Sequence, residues 1–320
     1  MSFISVLFAL LLDQARPLGP GNSVHAGMRA WVRWCSRNFD AGKASHAGLA
    51  WSVAVLGPSV LSLLIYWMLV ALVGWPLGVL WSALVLYASL GFRQFSFHFT
   101  QIRDALLADD EVLARKHLSD WQRFDAQQGT RSQMIGRVLE FSVWAAHRHV
   151  FGVLAWFSVL AAFGLGPTGA VLFRLSEFVA RYWQRQSEAH QQPVSAALKT
   201  HAHVAWQWVD WVPARITAFG FAVVGNFEEA VDGWRRYAEQ SQSHSDGVLL
   251  AAAAGAMNVA LPSLDVINAQ AATGGGEINR NAQRPAPELA HLAILVGLLW
   301  RAVVMWIVLL ALLTMARLLG

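Results

Sequence analysis

The stretch 204–225 reads VAWQWVDWVPARITAFGFAVVG: apolar enough to enter a bilayer, yet carrying Asp210, Pro213 and Arg215 close together near its start. A charge at bilayer depth costs about 3 kcal/mol or more unless it is paired or faces water. The proline removes a backbone donor and frees the carbonyls just before it to meet a ligand, a side chain or water. Two arrangements satisfy these residues. One is a broken helix whose freed carbonyls and paired charges form an embedded or interfacial site. The other is a Pro-kinked transmembrane helix with an internal Asp–Arg pair.

Composition places the chain in a membrane. Of 320 residues 56% are hydrophobic, only 14% are charged and 16 are Trp, which is too apolar and too charge-poor for an ordinary soluble domain. The net charge of +4 is small for this length. No basic run is interleaved with stacking aromatics outside the apolar segments, so nucleic acid is not an expected partner. A single cysteine, Cys35, excludes an internal disulfide and a Cys-rich metal site.

Along the chain, residues 1–12 are apolar but fewer than the about 20 needed to cross a bilayer as a helix. They lack the basic start and small-residue cleavage site of a signal peptide, so the segment is expected to be retained and to insert with the fold or lie at the interface. Residues 14–48 are polar and carry the turn-rich RPLGPGN, then Arg29, Arg33 and Arg37 at a spacing of four, which puts three arginines on one helical face beside Trp31 and Trp34. That pattern predicts an interfacial helix on an anionic leaflet, with a phosphate clamp as the alternative.

Apolar spans are expected at 49–73 and 75–92, forming a hairpin about Gly74, at about 150–165, at 204–225 and at 289–313, where Arg301 interrupts the run. Basic residues crowd both flanks of the first hairpin, which places those flanks in the cytoplasm. Residues 93–149 form the largest polar insertion, read as amphipathic helices with a break at Ala108-Asp109-Asp110. The two aspartates suit a helix cap and first-turn acid better than a metal site. After the GPTG turn at 166–169, residues 170–183 predict a short returning helix with Arg174, Glu177 and Arg181 on one face, able to pair with one another or to line a polar cavity. Residues 226–242 predict a surface helix, and the small-residue run from Ala251 to Ala256 predicts close helix–helix approach. Residues 262–287, with the triglycine at 274–276, read as a flexible loop that lacks the strand, helix and lysine of a phosphate loop.

His147 and His149, like His201 and His203, stand two apart, the wrong separation for two ligands on one helical face. There is no G-x-S-x-G elbow, and no activating base is evident for Cys35. No metal ligand set can be assigned from the residues.

Several segments taken together resemble the CobD/CbiB family of cobalamin-biosynthesis membrane proteins and its relative AmpE. They are LLDQARPLGPGNSVHAG around Asp13, G-F-R at 91–93, E-x-S-V at 140–143, L-x-W at 154–156, G-P-x-G-A-V-L-F-R at 166–174, D-W-V-P-A-R at 210–215, and S-D-G followed by the alanine- and glycine-rich core up to Val259. The resemblance covers nearly the whole chain. It implies amide formation between cobyric acid and aminopropanol or its phosphate, with ATP and Mg²⁺ as co-reactants and a corrinoid as substrate. It also implies Glu140, Glu177 and Asp210 as catalytic acids, and Arg93, Arg174 and Arg215 as binders of anionic groups. The chain departs from the family pattern where Trp206 and Gln207 replace a pair of aspartates and where Ala146 and His147 replace Glu-Asn. An AmpE-like membrane sensor without catalysis is the alternative.

The resulting expectation is an all-α, polytopic inner-membrane protein with about 4–6 membrane helices. A single domain over 1–320 includes the cytoplasmic insertion at 93–149, and the expected partners are the lipid bilayer and either a second copy or another membrane protein. Glu140, Arg174, Glu177, Asp210 and Arg215 are expected to converge on one polar cavity.

Overall fold

The computed structural model describes residues 2–15, 23–122, 129–188, 194–240, 244–264 and 280–319. The turn at 16–22, the triglycine at 274–276 and most of the expected 262–287 loop lie outside them. Among the described residues there are helices and turns and no strand. In chain order the helices are α1 (Ser2–Ala15), α2 (Ser23–Phe39), α3 (Ala44–Leu72), α4 (Trp75–Ser89), α5 (Phe92–Leu107), α6 (Glu111–Gln122), α7 (Arg131–Ala146), α8 (Gly152–Ala162), α9 (Thr168–Glu188), α10 (Ala196–Val224), α11 (Phe227–Gln240), α12 (Ser245–Met257), a single turn α13 (Arg280–Gln283) and α14 (Leu289–Leu319).

Three stretches among the described residues are long and apolar enough to cross a membrane: Ala44–Leu72, Arg131–Ala162 and Leu289–Ala316. The middle one revises a boundary. Its helix begins at Arg131 rather than near residue 150, inside the stretch assigned from sequence to the polar insertion. Thr130 starts it with a capping box, its hydroxyl accepting from the Gln133 backbone while the Gln133 side chain accepts from the Thr130 N–H. A π-turn at His147–Phe151 then carries α7 into α8 and absorbs the polar His-Arg-His triplet that marks a false boundary in the sequence.

A second revision concerns α10. It runs without interruption through Pro213, so the helix is not broken there, and it is not among the three apolar candidates. One proline removes one donor, and a helix tolerates it where packing holds the neighbouring turns. Pro213, Ala214, Ala218, Phe221 and Ala222 are all buried. The opposite side exposes Val204, Trp208, Trp211, Phe219 and Val223, an apolar stripe suited to lipid. The returning helix is also longer than expected, since α9 has 21 residues.

The chain divides into two compact units. The first comprises 1–91, 148–213 and 309–320, the second 92–147 and 214–308. In the first unit α3 presents Ala47, Ala50 and Ala54 to Val32 and Cys35 of α2, to Leu175, Val179 and Trp183 of α9, and to Leu198 and Ala202 of α10. Small side chains on α3 let the larger neighbours come close. The Trp31 indole donates to the Ala54 carbonyl at 3.2 Å, and Trp156 donates to the Val209 carbonyl at 2.8 Å, so these two half-buried indole N–H groups are satisfied. Gly169 admits α9 against α8, because a Cβ there would fall 2.1 Å from the Trp156 carbonyl oxygen. α1 reaches only 14 residues, and Ser5 donates to the Val79 carbonyl of α4 at 3.2 Å. On α2 the residues Val32, Cys35 and Ser36 are buried, whereas Arg33 and Arg37 are exposed and Arg29 is half-buried.

In the second unit the alanine-rich α12 packs on α11 at backbone distance. A Cβ on Gly255 would lie 2.2 Å from the Glu229 carbonyl oxygen, so the small-residue run does what its composition implies. The break between α5 and α6 is a capped turn: Asp109 takes a positive φ of 61°, and Asp110 accepts from the Leu113 N–H at 2.9 Å. The described ends of the 262–287 stretch are held rather than loose. Asn281 bonds both the N–H and the carbonyl of Leu261, at 3.2 and 3.1 Å, and Pro262 and Pro287 close over Gly136.

Candidate anion-binding site

The G-P-x-G turn sets the start of α9. Gly166 takes a positive φ of 54° against the Tyr66 ring, and Thr168 donates its hydroxyl to the Leu165 carbonyl at 2.6 Å. From there the helical repeat stacks Arg174, Glu177 and Arg181 on one face. Glu177 is shared: its Oε2 accepts from Arg174 Nη1 at 2.9 Å and its Oε1 accepts from Arg181 Nη1. The side chains of Arg174 and Glu177 are 9% and 4% exposed, that of Arg181 41%. Two guanidiniums against one carboxylate leave an excess positive charge in a place where water screens it weakly. Arg148, from the π-turn, lies within electrostatic reach of Glu177 and adds to that sign, with the His149 ring beside it. The Nδ1 of His149 is buried without a hydrogen-bond partner among the described residues.

From α2, His25 stands near the same charges. Burial first, then the Arg174 and Arg29 guanidiniums, hold its imidazole below the ordinary value of 6.5, with Glu177 opposing. Arg174 also reaches a cavity of about 370 Å³ walled by α2, α3, α4 and α9. Apart from Arg174 and the hydroxyls of Ser62 and Ser89, the walls are apolar, with Met28, Leu61, Ile65 and Val85 prominent. The trio is therefore an ion-pair row with one end on an apolar cavity and the other, at Arg181, toward the outside.

Glu140 belongs to the second unit. It is fully buried and accepts from the Ser263 N–H at 2.6 Å, from the Ser263 hydroxyl at 2.9 Å and from Arg137 Nη1 at 3.2 Å. These donors occupy both of its oxygens, which makes Glu140 a latch holding the segment after α12 onto α7. Ser263 has no signal in the sequence beyond its place after Pro262. Asp210 is buried in the first unit and Arg215 is half-buried in the second. Arg93 falls on α5, with its side chain outside the described residues. Within the first unit the structure thus brings Arg174 and Glu177 together with Arg181, as the spacing predicts, and adds Arg148 and His149.

Among the described residues no three His, Cys, Asp or Glu side chains gather where they could hold a metal ion. The carboxylates of Glu177 and Glu140 are already neutralised by arginine and hydrogen-bond donors. This donor set does not fit a protein-held Mg²⁺, which favours carboxylate and water oxygens left open to it.

Fold and site together define a helical membrane protein with a buried, net-cationic polar centre. A family model described as CobD/Cbib protein matches residues 6–294, and the chain belongs to that family. It is 29% identical over 315 residues to a cobalamin biosynthesis protein CobD of Stutzerimonas stutzeri, covering 96% of each chain. A CobD of Chromobacterium violaceum is 28% identical over 177 residues, 55% of this chain and 54% of its own, and one of Leptospira interrogans is 24% identical over 197 residues, 60% and 59%. No solved structure matches the chain.

Proposed function

We propose that this protein forms an amide between a corrinoid carboxylate and aminopropanol or its phosphate, in a multi-pass setting in the bacterial inner membrane. The observation that carries the reading is the Arg174–Glu177–Arg181 row, which grows out of the family-like G-P-x-G-A-V-L-F-R segment. The corrinoid substrate is anionic through its carboxylate, and the amino alcohol is anionic at its phosphate where it carries one. A carboxylate-braced arginine is a strong and oriented partner for such groups. Arg181 is the more exposed of the two arginines and receives the substrate anion. Glu177 fixes its guanidinium plane, and Arg174 holds Glu177 from the buried side.

Condensing a carboxylate with an amine removes the elements of water and runs uphill in water, so the carboxyl must first be activated. ATP, brought with its own Mg²⁺, is the co-reactant the resemblance implies. The amine nitrogen then attacks the acyl carbon, the bond from that carbon to the activated oxygen breaks, that oxygen leaves with the phosphate-containing group it took from ATP, and the nitrogen's proton passes to water. The chain's contribution is binding and orientation of the two anions.

Complementation tests the reading. A strain blocked in joining cobyric acid to aminopropanol, given this gene, is expected to grow without added cobinamide. Growth that stays dependent on cobinamide, with the protein present in the membrane, contradicts it.

A further inference from the structure

The apolar cavity at Arg174 matches neither substrate of the proposed reaction. Its volume of about 370 Å³ is at the lower end of the ~300–1,000 Å³ range of small-molecule sites, too small for a corrin macrocycle. Its walls are too apolar for a short, charged amino alcohol. What it offers is space for hydrocarbon, with one buried cation at the edge. Arg174 is 8% exposed, and the row it belongs to has one more cation than anion. Ser62 is 6% exposed and lines the same cavity, with its hydroxyl finding no hydrogen-bond partner among the described residues. A buried hydroxyl left without a partner costs about 1–3 kcal/mol, so a polar group on an occupant has something to gain there.

The source of the occupant follows from the walls. Pro58, Leu61, Ser62 and Ile65 belong to α3, one of the three helices fit to cross the bilayer, so lipid is the medium available to this cavity. The α2 wall contributes Val24, Gly27, Met28 and Trp31, and the same helix bears Arg29 and Arg33. We propose that the cavity binds one anionic phospholipid, its acyl chain between α2, α3, α4 and α9 and its phosphate paired with Arg174 and Ser62. This site shares Arg174 with the row of the proposed reaction, but its test reads lipid retention and not turnover, so the two readings fail separately.

The test is native mass spectrometry of the full-length protein in a mild detergent, titrated with phosphatidylglycerol or phosphatidylcholine. Wild type is expected to retain one phosphatidylglycerol per chain, at least about fivefold over phosphatidylcholine. Ile65→Trp fills the cavity and is expected to abolish that retention, whereas Leu309→Trp, at an exposed apolar position on α14, leaves it unchanged. Should Ile65→Trp not fold, Val85→Phe on α4 fills the same space and is expected to act alike. Arg174→Met is expected to keep lipid but lose the preference for the anionic headgroup. Equal retention of both lipids by wild type, or undiminished phosphatidylglycerol in the folded cavity-filling variant, overturns the proposal.

Discussion

Arg174 Nη1 lies 2.9 Å from Glu177 Oε2, with both side chains more than nine-tenths buried, while Arg181 takes the other carboxylate oxygen from a more open position. Removing one partner of a buried pair strands the other charge, at a cost of about 3–5 kcal/mol, whereas replacing both with apolar groups is often neutral. Glu177→Gln is therefore expected to lower the melting temperature sharply in detergent. The double variant Arg174→Met/Glu177→Met is expected to restore stability but not activity. A double variant as unstable as the single one would mean that the row is worth more to the fold than a pairwise exchange allows.

Arg181 separates binding from stability. Its side chain is 41% exposed, so Arg181→Gln should move the melting temperature little. A charge-assisted hydrogen bond to the substrate is worth about 1.5–3 kcal/mol. KM for the anionic substrate is accordingly expected to rise roughly 10- to 100-fold, with kcat less affected. An unchanged KM would place the substrate elsewhere.

Glu140 should behave as a latch. Glu140→Ala leaves the Ser263 N–H and the Arg137 guanidinium without their acceptor and is expected to cost about 3 kcal/mol, and Ser263→Ala about 1 kcal/mol. Product formation per folded molecule should stay at the wild-type level in Glu140→Gln. A specific loss of turnover in a well-folded Glu140→Gln would make Glu140 part of the chemistry.

Close helix contact on α12 gives a third stability test. Gly255→Ala drives a methyl into the Glu229 backbone and is expected to destabilise by more than about 2 kcal/mol. Gly297→Ala meets nothing within 4 Å and should be close to neutral. Matching melting temperatures for the two variants would contradict the α11–α12 packing.

Acid should destabilise the second unit through His98, which stacks on Trp121 at 6.0 Å. Burial first and His117 next lower its pKa from 6.5, against an opposing Asp120. A lowered folded value means that the unfolded chain binds the proton more readily. Stability is thus full above about pH 6.5 and is lost as pH falls from there through the folded value. His98→Phe is expected to flatten the melting temperature between neutral pH and pH 5, and an unaltered slope would assign the effect to other groups.

Much of this architecture is written in local pattern. The hairpin about Gly74, the small-residue contact face of α12, the cap at Asp110 and the ion-pair row on α9 each depend on residues a turn apart, and periodicity reveals them. Where the sequence misleads, a distant partner decides. Polar His147-Arg148-His149 looks like a helix boundary until the π-turn is seen to carry it within a longer apolar helix. Pro213 allows a broken or a continuous helix, and only the structure shows that the helix continues through it. The bonds that Glu140 accepts from Ser263 span 123 residues, so nothing near it in the chain announces them. The cavity at Arg174 needs four helices, so no single segment announces it.

Mass spectrometry of the reaction itself bears hardest on the proposed function. Purified protein in lipid is incubated with cobyric acid, aminopropanol phosphate, ATP and Mg²⁺, and the corrinoid is weighed. Wild type should add the mass of the amino alcohol phosphate less one water, Arg181→Gln should do so far more slowly, and Arg174→Met/Glu177→Met not at all. Unaltered cobyric acid with folded wild-type protein, in a mixture where an added cobinamide-forming enzyme does yield the amide, would contradict the assignment.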